Sequence, residues 1–237
     1  MMIPIEHIKA FSECPRYYHF LQTEEGPPIP FRHALLESII KEATLQAMET
    51  GFRMDWKRVV TLVDAEVFAD VKVDQPGTYD HARLLAEHIL TGVRTWYYDL
   101  YLRSNLETFV DVPLKKIIAK HTVHGSAPLI QIGGEVPVIT MVFDLGISNH
   151  QLYNDLLVRG LAWLVQQELG CEAVKCQGLG IGIKGGLDMT EIYISKEDHL
   201  RTEQIIHQIV GMIVTGIDYP SVTNQCQSCM NNLRCKL

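Results

Sequence analysis

The spacing of apolar residues divides the chain into a helical first part, a strand-rich middle part and a helical end. In the first part, apolar residues recur every three or four positions, which is the period of an amphipathic helix. Gly- and Pro-containing stretches at 24–30 (EEGPPIP) and 74–77 (DQPG) interrupt this pattern and predict loops. Residues 3–22 are predicted to begin with a short helix, followed by Cys14-Pro15 and an aromatic stretch. Further helices are predicted at residues 31–50, 55–71 and 79–102.

The period then changes to the alternation that is typical of β-strands. Turns are predicted at Gly125 and at Gly133-Gly134. The predicted strands are Thr108–Pro113, Lys116–His121, Pro128–Ile132 and Val136–Phe143, followed by a hairpin of Gly178–Ile183 and Met189–Ile194. A strongly apolar helix is predicted at 152–169, and an amphipathic helix at 195–215 opens with Ser-x-x-Asp, which is close to a capping box.

This order of elements predicts an α/β (mixed α+β) fold with a central mixed sheet flanked by helices. The sequence has no internal repeat, no low-complexity stretch and no long linker. We therefore expect a single domain, residues 1–237. Its expected parts are an N-terminal helical region (3–102), a sheet core (106–194) that includes helix 152–169, and a C-terminal helix with a cysteine-rich tail (195–237).

Composition limits the classes of function. With 47% hydrophobic and 21% charged residues, the chain can bury a core and is not disordered. The net charge of −7 excludes a uniformly basic nucleic-acid coat, so any nucleic-acid site must be a local patch. No apolar run reaches the roughly 18 residues of a membrane span, and the first residues do not resemble a signal peptide, which predicts a cytoplasmic protein without membrane contact.

One local basic cluster lies between the predicted strands. It is a candidate for phosphate contact, although a solvated face explains it equally well. Its members are Lys115, Lys116, Lys120, His121 and His124.

The cysteines are distributed unevenly. Cys226, Cys229 and Cys235 form C-x2-C-x5-C in a polar tail, and Cys14 lies alone near the start. Three thiols within ten residues of a polar segment indicate a metal site. The spacing is compatible with zinc and with a [4Fe–4S] cluster. If Cys14 is the fourth ligand, the metal joins the two ends of the chain. We expect that the remaining cysteines, at 171 and 176, are not ligands.

A glycine pattern of the form G-x-G-x-x-G occurs at Gly180, Gly182 and Gly185. A dinucleotide site requires such a loop to open a helix, but these glycines fall within a predicted hairpin. The sequence therefore does not indicate nucleotide binding at this position.

The early cysteine in FSECPRYYHF, the helical region, the strand group with its apolar helix, and the C-x2-C-x5-C tail occur together in this order. This combination resembles the iron–sulfur branch of the RecB-like PD-(D/E)XK nucleases, which includes Cas4-type exonucleases and the cluster domains of recombination helicase–nucleases. The resemblance spans nearly the whole chain. It implies a PD-(D/E)XK-like fold in which a [4Fe–4S] cluster held by Cys14, Cys226, Cys229 and Cys235 joins the chain ends.

The resemblance also shows which catalytic residues are missing. Such nucleases hold Mg²⁺ or Mn²⁺ with carboxylates and place a lysine near the attacking water. The family's helix histidine aligns with Lys41, and its G-x-x-D aspartate aligns with Pro128. Its D/E-x-K pair aligns within the strand Val136–Phe143, at Thr140 and Val142.

Other positions of the family pattern differ as well. The Gln and Tyr of the following helix align with Asp155 and Arg159. The nearest substitute carboxylates, Glu135 and Asp144, flank the strand and do not lie within it.

The resulting hypothesis is an inactive PD-(D/E)XK nuclease homologue. It would be a catalytically degenerate iron–sulfur protein that binds nucleic acid or serves as an assembly subunit of a larger complex with protein partners. Two alternatives remain open: an active Mg²⁺-dependent DNA exonuclease of the Cas4 type, and a purely structural protein-interaction module. DNA binding is therefore one expectation among these three.

Overall fold

The computed structural model describes residues 1–23, 31–50, 57, 61, 91–98, 105–143, 145–182 and 187–217. The predicted loops at 24–30 and 74–77, most of the predicted helices at 55–71 and 79–102, and the cysteine tail lie outside these residues.

The described residues form six strands and several helices. The strands are β1 Met2–Pro4, β2 Glu107–Ile118, β3 His121–Ile132, β4 Val138–Phe143, β5 Val174–Ile181 and β6 Leu187–Ile194. The helices are α1 Ile5–Glu13, α2 Pro15–Thr23, α3 Phe31–Thr50, α4 within residues 91–98, α5 Asn149–Asn154, α6 Leu156–Leu169 and α7 Lys196–Val214.

All six strands form one mixed sheet. Strands β2, β3 and β4 form an antiparallel meander, the chain then crosses over through α5 and α6, and β5 pairs in parallel with β4. Strand β6 completes the far edge by pairing antiparallel to β5. One edge of β3 has two partners. Near the start of β3, this edge pairs in parallel with β1, and near the end of β3 it pairs antiparallel with β4.

Helices cover both faces of this sheet. The side of the sheet that carries the main core is called the core face below. There, apolar residues of α1, α6 and α7 pack on the strands, and Trp163 of α6 is fully buried among them. On the opposite face, α3 contacts β2, β4 and β5, and Trp96 of α4 bonds to β5. This arrangement confirms the predicted mixed α+β class and agrees with a PD-(D/E)XK-like fold.

The predicted boundaries around β2 and β3 are wrong. The expected strand Lys116–His121 spans a turn at Ala119 and Lys120, whose φ angles of 45° and 72° lie in the left-handed region. Such a two-residue turn matches the twist of a hairpin, but Gly or Asn normally occupies it. Ala119 and Lys120 are therefore not a recognisable turn signal.

Gly125, which was expected to form a turn, lies inside β3. A Cβ atom at this position would lie 2.7 Å from Cγ2 of Ile5 and 2.9 Å from Cδ2 of Leu161. The glycine thus allows α1 and α6 to pack closely on the sheet, which explains its presence in a strand.

The helices around the crossover begin at side-chain caps. Ser148 and Gln151 form a capping box on α5, and Ser195 and Asp198 form the box on α7 that the Ser-x-x-Asp pattern predicted. Asp155 caps α6 by accepting bonds from two backbone N–H groups. In the described part of the chain, no helix is long and apolar enough to cross a bilayer.

Candidate functional site

A row of neighbouring residues crosses the sheet where the resemblance expects metal-binding carboxylates. From β2 to β6, the row is Val110, Leu129, Thr140, Gln177 and Glu191. Thr140 occupies the position of the family's first D/E-x-K residue. The one carboxylate in the row, Glu191, belongs to the edge strand β6, two strands away from Thr140.

Hydrogen bonds fill the middle of this row. Gln177 is fully buried, and its Oε1 accepts bonds from Thr140 Oγ1 at 3.1 Å and from Trp96 Nε1 at 3.3 Å. Its Nε2 donates to Glu191 Oε1 at 3.1 Å. Thr140 is 1% exposed, and its hydroxyl donates to an amide oxygen. Thr140 and Gln177, at the centre of the row, are therefore hydrogen-bonded to each other, and neither is an anionic ligand for a metal ion.

The outer end of the row carries an ion pair. Lys175 Nζ lies 2.7 Å from Glu191 Oε2, and the Lys175 ammonium lies 5.9 Å from the ring centroid of Tyr193. A carboxylate and a lysine thus do meet on this face, but on β5 and β6. Because Glu191 already bonds to both Lys175 and Gln177, its oxygens are engaged within the protein.

A second charged group joins α3 to the β2–β3 hairpin. Lys41 Nζ lies 2.9 Å from Glu37 Oε1 and 3.0 Å from Asp111 Oδ1. Burial alone would lower the pKa of Lys41, but hydrogen bonds to the two carboxylates and their charges raise it above its usual value. Lys41, which aligns with the family's histidine, therefore keeps its proton and its positive charge.

The β2–β3 ladder is irregular next to this cation. Val110 pairs with Leu129 and Val112 pairs with Ala127, but the intervening Asp111 and Pro128 do not pair. Asp111 has a φ of 51°, and Pro128 has no N–H group to donate. Ala127 and Ile130 both belong to the core, so the alternation of buried residues also shifts by one at this point.

The aligned catalytic positions can now be compared in space. Leu129, and not Pro128, lies beside Thr140. Shifting the alignment by one residue therefore replaces proline with leucine and gives no ligand. Val142 is buried, Glu135 is exposed between β3 and β4, and Asp144 lies outside the described residues. Among the described residues, no three His, Cys, Asp or Glu side chains are close enough together to hold a metal ion.

Asp155 and Arg159 on α6 also have structural partners. Asp155 Oδ2 lies 2.7 Å from Lys9 Nζ. Arg159 Nε donates to Thr202 Oγ1 at 3.0 Å, and its guanidinium lies over the ring of Tyr153. These contacts tie α6 to α1, α5 and α7.

Of the four expected cluster ligands, only Cys14 lies in the described residues. It is half-buried between α1 and α2, and its Sγ accepts a bond from the backbone N–H of Tyr17 at 3.4 Å. Hydrogen bonds to sulfur are among the features that tune iron–sulfur clusters, so this setting fits a ligand thiolate. Cys226, Cys229 and Cys235 lie outside the described residues.

The two cysteines that were not expected to be ligands lie near the core. Cys176 is fully buried, and burial raises the pKa of its thiol to about 12. Burial also raises the pKa of the half-buried Cys171. Raised pKa values of this kind are typical of buried structural cysteines.

The candidate nucleic-acid residues divide between the two faces of the hairpin. Lys115 pairs with His124, and Lys120 is exposed at the turn. Lys116 instead pairs with the fully buried Val123 and points to the core face, together with His121 next to it along the hairpin. The structure therefore brings Lys115 and His124 to one face of the hairpin, and Lys120 is exposed at the turn at its end.

That surface, called the open face below, is a three-stranded patch without a helix over it among the described residues. Its central row is Ile117, Thr122 and Met2, and Ile117 and Met2 are 71% and 67% exposed. The next row contains Lys115, His124 and Pro4.

Two site residues were not anticipated from the sequence. Asp111 interrupts an apolar strand (TFVDVPL), and Gln177 interrupts another (VKCQGLGI). An isolated polar residue in a buried strand is a signal for a polar network, because a buried amide or carboxylate requires hydrogen-bond partners.

Comparison with solved structures supports the fold. A crystal structure from Eubacterium rectale, described as a "putative exonuclease", matches 100% of this chain and 94% of its own, with a TM-score of 0.58 and 10% identity. The structure of SSO0001 covers 67% of this chain and 73% of its own at 12% identity, but its TM-score of 0.39 is too low to inform the fold. No family model and no curated protein matches the sequence. The likeness to the Eubacterium rectale protein supports a nuclease-like fold.

Proposed function

We propose that this chain is a catalytically degenerate nuclease-fold protein that carries an iron–sulfur cluster and binds nucleic acid as part of a larger assembly. The observation that carries the loss of catalysis is the buried Thr140 hydroxyl, which donates to Gln177 at the position where the family holds a metal-binding carboxylate. Phosphodiester hydrolysis in this fold depends on a carboxylate-bound cation that stabilises charge and activates water. A neutral hydroxyl held by an amide cannot replace that group.

The cluster would be held by Cys14, Cys226, Cys229 and Cys235, and its role would be to join the chain ends. This part of the proposal rests on cysteine spacing, on the resemblance and on the hydrogen bond to Cys14 Sγ. Reduced thiolates of this kind fit a cytoplasmic setting.

Nucleic acid would bind at the open face. Lys115 and Lys120 are exposed basic residues on a protein of net charge −7, and the ladder partner of Lys115 is His124, which is not acidic. Ile117 and Met2 beside them offer an apolar surface for contact with bases or sugars. The exposed apolar pair equally favours a protein partner, and this supports the assembly role as the second candidate.

Catalysis is tested with single- and double-stranded DNA in the presence of Mg²⁺ or Mn²⁺. We expect no cleavage above a metal-free control. Robust cleavage that is abolished by Glu191→Gln or Asp111→Asn would instead show that a displaced active site operates, and the exonuclease alternative would replace the proposal.

Binding is tested by measuring DNA affinity as a function of salt. A Lys115→Gln, Lys120→Gln double variant should reduce the slope of log K against log salt by about 2, since each phosphate contact contributes roughly one unit. Lys116→Gln is the matched control, because this neighbouring lysine lies on the other face, and it should leave the slope unchanged. Absence of DNA binding at low salt would favour the purely structural module.

A further inference from the structure

The metal ion that the fold family implies does not fit the residues that the structure describes. Two carboxylates, Glu37 on α3 and Asp111 on β2, do converge beside the aligned catalytic positions. A lysine side chain already lies between them. We propose that the ammonium group of Lys41 is a built-in counter-ion that replaces a divalent metal ion between α3 and the β2–β3 hairpin and excludes such an ion from this region.

The geometry supports this role. The nitrogen of Lys41 lies about equally far from one oxygen of each carboxylate, at 2.9 and 3.0 Å. One cation thus joins a helix to a strand through two anionic ligands, as a carboxylate-bound metal would. The inference rests on the proposed function only for the statement that this region corresponds to the family's metal site.

The backbone of β2 adds a second observation. Asp111 is a non-glycine residue with a φ of 51°, a conformation that is unfavourable for L-residues and uncommon inside a strand. It lies opposite Pro128, which cannot donate to the ladder, so the strand gives up regular pairing there. Such local strain persists only where surrounding contacts maintain it, and the ion pair to Lys41 is a contact of that kind.

The charges explain why an external cation would be excluded. Lys41 holds its proton firmly, because hydrogen bonds to both carboxylates and their charges raise its pKa. A divalent ion approaching the carboxylates would also meet the ammonium group a few ångströms away, and like charges at that distance repel strongly outside bulk water. The side chains are 27% to 57% exposed, so an ion from solvent can reach them once the lysine is removed.

The test measures Mn²⁺ binding by isothermal titration calorimetry, without DNA, on the full-length protein as purified. Lys41→Met removes the ammonium and leaves both carboxylates. We expect it to bind Mn²⁺ at least about tenfold more tightly than the wild type, because the competing positive charge is gone. Adding Asp111→Asn to Lys41→Met should remove the gain.

Lys175→Met is the matched control. It removes a lysine whose described ion pair is to a single carboxylate, Glu191, and it should not gain Mn²⁺ affinity. Circular dichroism establishes that each variant is folded, and a rise in the melting temperature with Mn²⁺ for Lys41→Met alone gives a second readout. The proposal is overturned if a folded Lys41→Met binds Mn²⁺ no better than the wild type, or if Lys175→Met gains as much. Because no DNA is present, these outcomes are independent of whether the wild type cleaves or binds DNA.

Discussion

Lys9 Nζ and Asp155 Oδ2 lie 2.7 Å apart although 146 residues separate them in the chain. The ion pair joins α1 to the first turn of α6. The other carboxylate oxygen, Oδ1, accepts hydrogen bonds from the backbone N–H groups of Leu157 and Val158. One side chain therefore both caps a helix and fixes its start to another element.

Replacing Asp155 should separate these two roles. Asp155→Asn keeps an oxygen for the cap and loses the charge, so we expect a loss of about 0.5–1 kcal/mol in the free energy of unfolding. Asp155→Ala also loses the cap and should cost about 1 kcal/mol more. Urea denaturation measures both, and equal losses would show that the cap contributes nothing.

Two helical glycines should respond oppositely to alanine. At Gly160 in α6, a Cβ would lie 2.5 Å from Cδ1 and 2.6 Å from Cγ1 of Ile5. We expect Gly160→Ala to destabilise the fold by about 1–3 kcal/mol despite alanine's higher helix propensity. Gly211 in α7 is exposed and has no atom within 4 Å of such a Cβ.

Gly211→Ala is the control and should stabilise the protein by about 0.5–1 kcal/mol. Ile5→Val, which removes Cδ1, should restore part of the stability of Gly160→Ala. Thermal unfolding gives the comparison. If both alanine variants were stabilising, the close contact between α1 and α6 would be refuted.

His199 should make the protein sensitive to acid. Burial lowers its pKa from 6.5 to about 4, with a smaller lowering from Arg159 and an opposing effect of Asp198. Both ring nitrogens are buried, and neither has a hydrogen-bond partner in the described residues. The unfolded chain binds a proton at His199 more tightly than the folded protein does. The stability that comes from a neutral His199 is therefore fully present above pH 6.5 and is lost as the pH falls toward 4.

Between pH 7 and pH 5 this effect should remove about 2 kcal/mol from the free energy of unfolding. His199→Leu should flatten the dependence, as measured by denaturation at each pH. His207 lies on the same helix but is exposed, and His207→Gln should leave the slope as it is. An unchanged slope in His199→Leu would assign the acid sensitivity to other groups.

The cluster proposal predicts four iron and four sulfide ions per chain after anaerobic purification. Cys229→Ser should lose the iron and several kcal/mol of stability, since a link between the chain ends contributes roughly 5 kcal/mol. Cys171→Ser is the control and should keep the iron. Stoichiometric zinc in a colourless protein would favour the alternative metal.

How far the sequence predicted the fold depends on whether the signal was local. The helix Phe31–Thr50 and the capping box at Ser195 were predicted correctly, because periodicity and caps act within a few residues. The turn at Ala119-Lys120 was missed because its residues adopt left-handed conformations without the usual side chains. Strand β1 was missed because three residues are too few to show a period.

The same distinction applies to the candidate site. Alignment with the resembled family could name Lys41 and Thr140 from sequence order alone. It could not place Asp111 beside Lys41, because that contact depends on how α3 lies across the hairpin. Nor could it show that Leu129 lies beside Thr140, because strand register is set by pairing in the folded sheet.

Strand β1 also has a consequence for the order of events during synthesis. Ile3 is 1% exposed and takes its place in the sheet opposite Val123, so it has no sheet partner until the ribosome has added about 120 further residues. At roughly 5–20 residues per second, this delay lasts from several seconds to nearly half a minute. During that interval, the apolar residues of β1 and α1 are exposed to other nascent chains and to chaperones.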